Sequence, residues 1–195
     1  MRRTLGRVAF WFALALGGVF GLLFATLVVL VAADVANLYR VPSSAMEPTL
    51  HCARPATGCE AGMSDRFLTL ELGSWDRGDV VAFATPPAAV ERCGSGGTFV
   101  KRIIGLPGET LAFRLENGAA FVYIDGERLD EPYIELDRRD SGPAETFRVP
   151  AGRYFMLGDN RSQSCDSRVF GAVPSGNLIG RRVLTYWPPG RISIS

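Results

Sequence analysis

FVKRIIGLPGET, residues 99–110, decides the fold. An apolar run ends at Gly105-Leu106-Pro107-Gly108, so a strand must stop there and turn. The same rhythm extends in both directions. Upstream, FLTLEL (67–72) reads as a strand and SWDRGDVVAF (74–83) as a turn entering another. TPPAAVERCGSGGT (85–98) is rich in Pro and Gly and reads as a surface loop. Downstream, FVYIDGERL (121–129) alternates and contains Asp125-Gly126, a hairpin turn. ELDRRDSGPAET (135–146) is a charged, exposed excursion. RYFMLGDN (153–160) is a strand running into a polar loop, and LIGRRVLTYWPP (178–189) a last strand closed by two prolines. There are no repeats and no amphipathic helical period. The expectation is a mainly β, antiparallel domain over residues 40–195.

The N-terminus is different. Arg2, Arg3 and Arg7 precede an uncharged apolar run over 8–33, which ends at Asp34. At ~1.5 Å per residue a helix of that length spans a hydrocarbon core of ~30 Å. A cleaved signal peptide has a shorter core. Residues 1–7 are therefore expected in the cytoplasm, 8–33 as a single transmembrane helix and the rest outside, by the positive-inside rule. A net charge of +1 gives no reason to expect nucleic acid as a partner.

Of 21 basic residues only Lys101 is a lysine. Arginine stays protonated in proteins, whereas a buried lysine can lose its proton. Lys101 lies in the apolar FVKRII run, and its neighbour Arg102 points the other way, to solvent or a carboxylate. The single histidine, His51, reads as a loop residue. No Ser-His-Asp triad and no metal-ligand spacing is present. The four cysteines allow three pairings. The short spacing of Cys52 and Cys59 favours a small loop, leaving Cys93 with Cys165; free buried thiols are the alternative. GDNRSQSCDSR (158–168) packs Asp159, Asp166, Arg161 and Arg168 into one loop, where they can pair with each other.

With PSSAMEPTL (42–50), RGDVVAF (77–83), VKRIIGLPGE (100–109) and GDNRSQSCDSR (158–168) in that order behind an apolar N-terminus, the chain resembles bacterial type I signal peptidase, a Ser-Lys endopeptidase. The short chain with one expected span looks like the Gram-positive-type members. The resemblance implies an antiparallel β catalytic domain with a small β-rich insertion at about 110–152, and cleavage of signal peptides after an Ala-x-Ala-like motif. It implies Lys101 as general base, Ser43 and the backbone N–H of residue 45 as the oxyanion hole, and Ser164 as the hydroxyl orienting the lysine. Asp159, Asn160, Asp166 and Arg168 would support the site. It implies membrane lipid as a partner and calls for no cofactor.

The nucleophile position carries Ala45. Alanine has no hydroxyl and cannot form an acyl-enzyme, so the reading is a signal peptidase disabled by Ser→Ala replacement. The alternative is a natural pseudoprotease that binds signal peptides. Ser44 would face away from Lys101 in an extended segment. Ser-Lys repressor autoproteases are cytosolic and carry a DNA-binding segment, which the apolar N-terminus argues against. A structural envelope protein leaves the lone lysine and the 158–168 loop unexplained.

Overall fold

The computed structural model describes the backbone of residues 2–33 and 35–194; within the first helix, side chains are described at Trp11 and from Leu16 onward. The chain divides into two units, Met1–Asn37 and Leu38–Ser195. The first unit is built on α1, Arg2–Ala32. Most of the described apolar side chains of α1 are exposed, Phe20 at 73% and Leu22 at 70% among them. The expected membrane segment falls on this helix, but side chains 8–10 and 12–15 lie outside the described residues. Among the described residues, no helix is long and apolar enough to cross a membrane.

The strands are β1 (Ala36–Arg40), β2 (Arg66–Leu70), β3 (Val80–Ala84), β4 (Thr98–Gly105), β5 (Thr110–Glu116), β6 (Ala119–Ile124), β7 (Glu127–Arg128), β8 (Thr146–Arg148), β9 (Arg153–Leu157), β10 (Val173–Pro174), β11 (Leu178–Trp187) and β12 (Ser193–Ile194). One sheet has the order β1-β2-β11-β3-β4-β9-β10, with β12 on β11; a second has the order β7-β6-β5-β8. β11 pairs antiparallel with β2 and β3, β4 with β3 and β9, and β5 with β6 and β8. At the hairpin between β6 and β7, Asp125 and Gly126 both take positive φ, 47° and 94°. A tight two-residue turn between twisted strands requires this.

β4 is central. Lys101 stands opposite Val81, Arg102 between Val80 and Leu157, and Ile103 opposite Met156. The pleat therefore puts Phe99, Lys101 and Ile103 on one face. Ile103 packs there with Val81, Phe83, Met156 and Val173. A second cluster joins the two sheets: Ile104, Phe155 and Leu157 against Leu111, Phe113 and Val122.

Three expectations change. The 85–98 stretch is not all loop: Pro87–Cys93 forms α2, with proline in its first turn and Gly94 in the left-handed conformation closing it. Ala89 is fully buried, so packing selects a helix where composition suggested a loop. Residues 44–46 are not extended but form a 3₁₀ turn. The 135–146 excursion is mostly exposed but contains a 3₁₀ turn, Leu136–Arg138, and is pinned by Arg139 to buried Glu131 (3.0 Å).

Candidate active site

The 3₁₀ turn Ser44–Met46 and strand β4 line one cavity of about 470 Å³, with Ser43, Ala45, Phe99, Lys101, Gln163 and Cys165 in its walls. Ala45 is buried, held from behind by the loop after β9. The Asn160 N–H donates to the Ala45 carbonyl (3.2 Å) and the Asn160 amide to the Ser44 carbonyl (3.2 Å). Gly158 makes this approach possible, because a Cβ there would overlap both the Ala45 carbonyl and the Ser164 hydroxyl. Ser44 is also buried, and its hydroxyl donates to Gln163 Oε1 (3.0 Å). It is thereby committed away from Lys101. The cause is this hydrogen bond within a turn, not strand alternation.

Lys101 is 4% exposed. Its Nζ lies 5.8 Å from the centre of the Phe99 ring. Burial pushes the amine down from 10.5 to about 8; Asp166 and Asp159 pull it upward, and Arg168 pushes it down again. Desolvation wins because each carboxylate is already neutralised by a guanidinium. Arg102 Nε and Nη2 grip Asp159 at 2.9 and 2.6 Å. Arg168 Nε and Nη2 grip Asp166, both at 2.8 Å. Asp166 also accepts the Gly158 N–H (3.1 Å) and caps α3, Ser167–Phe170.

The loop's charges are thus only half paired among themselves. Asp166 takes Arg168, but Asp159 takes Arg102 of β4. Arg161 takes Glu131, from the connection that follows β7. Glu131 and Tyr133, whose ring lies 4.0 Å from the Arg102 guanidinium, carried no signal in the sequence. They belong to no motif and meet the loop only through the fold. The expected bond from Ser164 to the lysine is not formed. Ser164 Oγ is buried without a partner among the described residues, and Ser164 lines a different cavity, of about 490 Å³. The lysine side chain stays on the groove side, against Phe99.

Disulfides join Cys52 to Cys59 and Cys93 to Cys165, with Cα separations of 5.0 and 6.0 Å. The second ties α2 to the loop that carries Ser164 and Asp166.

The family model described as signal peptidase, peptidase S26, matches residues 14–187. Among curated proteins, the chain is 36% identical over 165 residues to probable signal peptidase I-2 of Synechocystis, covering 82% of this chain and 67% of that one. It is 31% identical over 205 residues to signal peptidase I of Mycobacterium tuberculosis, covering 80% and 67%. Among solved structures, a signal peptidase I from Enterococcus faecalis is 33% identical, with TM-score 0.45 over 57% of this chain and 98% of that one.

Proposed function

The chain belongs to the signal peptidase family, peptidase S26, and from that premise we propose a membrane-anchored endopeptidase that removes signal peptides, held inactive in this form by Ala45. One observation carries the reading: the sole lysine is buried in the groove that also contains position 45, with its amine pushed to about 8. A lysine so placed is a competent base near neutral pH.

The substrate lies extended in the groove, adding backbone hydrogen bonds as a strand would. In the parent enzyme neutral Lys101 takes the proton of a serine at position 45, whose oxygen attacks the scissile carbonyl. The oxyanion is met by the backbone N–H of residue 45 and the Ser43 hydroxyl. Protonated Lys101 then gives its proton to the leaving amine and, neutral again, activates water for deacylation. Asp159, Asn160, Asp166 and Arg168 fix the loop that backs position 45. Anchoring through residues 8–33 rests on their apolar composition and on the exposure of α1's described side chains.

The test is Ala45→Ser, assayed on a preprotein whose signal ends in Ala-x-Ala, in detergent with lipid, beside the Ala45 form. The expected result is cleavage after that motif by Ala45→Ser alone, rising with pH through about 8 as Lys101 loses its proton. The serine nucleophile is worth on the order of 10⁶ in rate. Failure of both forms to cleave, with tight binding of the intact signal peptide, would replace this reading with a non-catalytic binding protein.

A further inference from the structure

Two residues beyond Ala45 the chain buries a carboxylate completely: Glu47 is 0% exposed. Its Oε1 accepts from the backbone N–H groups of Cys52 (3.1 Å) and Glu60 (3.4 Å). Its Oε2 faces His51 Nδ1, and apart from each other neither atom has a partner among the described residues. The Glu60 carboxylate, just past the Cys52–Cys59 loop, completes a triangle. One ligand atom from each of Glu47, His51 and Glu60 lies within 4.8 Å of the others. The competing cation is Arg138, which pairs with Glu60.

We propose that Glu47, His51 and Glu60 bind a divalent transition-metal cation of the zinc class. One imidazole nitrogen with two carboxylate oxygens is a zinc donor set, and three protein ligands leave a position for water. Calcium and magnesium instead select all-oxygen sites. The ion takes the place of the Arg138 guanidinium at Glu60. Glu47 Oε2 and His51 Nδ1 are buried against each other without a regular hydrogen bond, and a shared cation satisfies both. None of the three side chains lines the groove that holds Ala45 and Lys101, so the ion has a positioning role. It ties the turn carrying position 45 to the far end of the Cys52–Cys59 loop. The site does not depend on the protease reading.

The sequence pattern hides this site because the ligands are spread over 47, 51 and 60, with a disulfide loop between the last two. The fold brings Glu60 back beside Glu47, through the Ala53–Ala61 bridge.

The test uses the full chain in detergent with both disulfides oxidised, purified through a tag without histidine and stripped with a chelator. Zinc chloride is titrated calorimetrically, and cobalt(II) is followed by its visible absorption. The expected result is one zinc per chain, with His51→Gln and Glu60→Gln each weakening binding by at least about tenfold and abolishing the cobalt bands. The Glu60 side chain is 46% exposed, so its variant keeps the fold even if the histidine variant does not. Absence of zinc binding, or binding that Glu60→Gln leaves unchanged, would overturn the site and leave a closed His51–Glu47 pair.

Discussion

Lys101 shows how one residue is prepared by everything around it. The chain places arginine at its other basic positions, and Arg102 and Arg168 hold Asp159 and Asp166 so that neither carboxylate can claim the amine. Desolvation outweighs the upward pull the carboxylates still exert and brings the amine to about 8. This has a consequence for stability. Below pH 8 both folded and unfolded chains hold the proton, and the folded chain bears the whole cost of a buried ammonium. Between 8 and 10.5 the unfolded chain still holds the proton that the folded chain has released, so stability rises with pH. Above 10.5 the cost is gone. Lys101→Met, which cannot be charged, is expected to be more stable than the parent at pH 7 by on the order of 3 kcal/mol. Urea unfolding of the two forms at pH 7 and at pH 10.5 checks this. A gain that does not shrink at the higher pH would mean that the amine is not desolvated.

At the scale of elements, the site is a meeting of three: the 3₁₀ turn at 44–46, strand β4, and the loop after β9. The strands were legible in the sequence because FLTLEL, RGDVVAF, FVKRIIG and RYFML each end at turn residues and no competing pattern overlaps them. α2 was not, because Pro86, Pro87 and Gly94 mark both loops and helix ends. Only the burial of Ala89 decides between them. The 3₁₀ turn was equally hidden, since Ser43 just before it is extended and nothing local marks the change. Lys101, position 45 and the Asp166–Arg168 pair were legible as motif residues. The partners of Asp159 and Arg161 were not, because they come from other elements. The Cys93–Cys165 disulfide fastens α2 to the third of these elements across 72 residues, whereas Cys52–Cys59 closes only seven. Loop-closure entropy makes the longer bridge worth about 4 kcal/mol and the shorter about 2.5. Replacing Cys93 and Cys165 by serine should therefore lower the urea midpoint more than replacing Cys52 and Cys59. The reverse order would mean that the α2 end of the groove is already held by packing.

Across Leu38–Ser195 the two sheets share an apolar cluster around Ile104, Leu111 and Phe155, and beside it a set of buried ions. Beyond the β-rich insertion that the resemblance implied, the residue pattern revealed only a hairpin in the second sheet, because its other strands, β5 and β8, pair across some thirty residues of chain. Glu131 is the joint. Its carboxylate is fully buried, accepts from Arg139 at 3.0 Å, and pairs with Arg161, whose Nε donates to the Gly158 carbonyl at 3.0 Å. A carboxylate outside the sequence motifs thereby fixes the loop that backs Ala45. Replacing it with a neutral amide leaves two nearly buried guanidiniums, 3% and 7% exposed, without their counter-charge. Breaking a buried pair in this way costs roughly 3–5 kcal/mol, whereas removing both partners costs far less. Glu131→Gln should accordingly destabilise the chain by that order. Glu131→Leu combined with Arg161→Met, or Glu131→Gln with Arg161→Gln, relieves one of the two guanidiniums and should recover part of the loss, Arg139 accounting for the rest. A double-mutant cycle by urea unfolding measures the coupling. If the single and double variants were equally unstable, Glu131 would act through packing and the sheets would be joined by their apolar cluster alone. If the doubles recover, the charge on Glu131 is what holds the connection after β7 to the loop after β9.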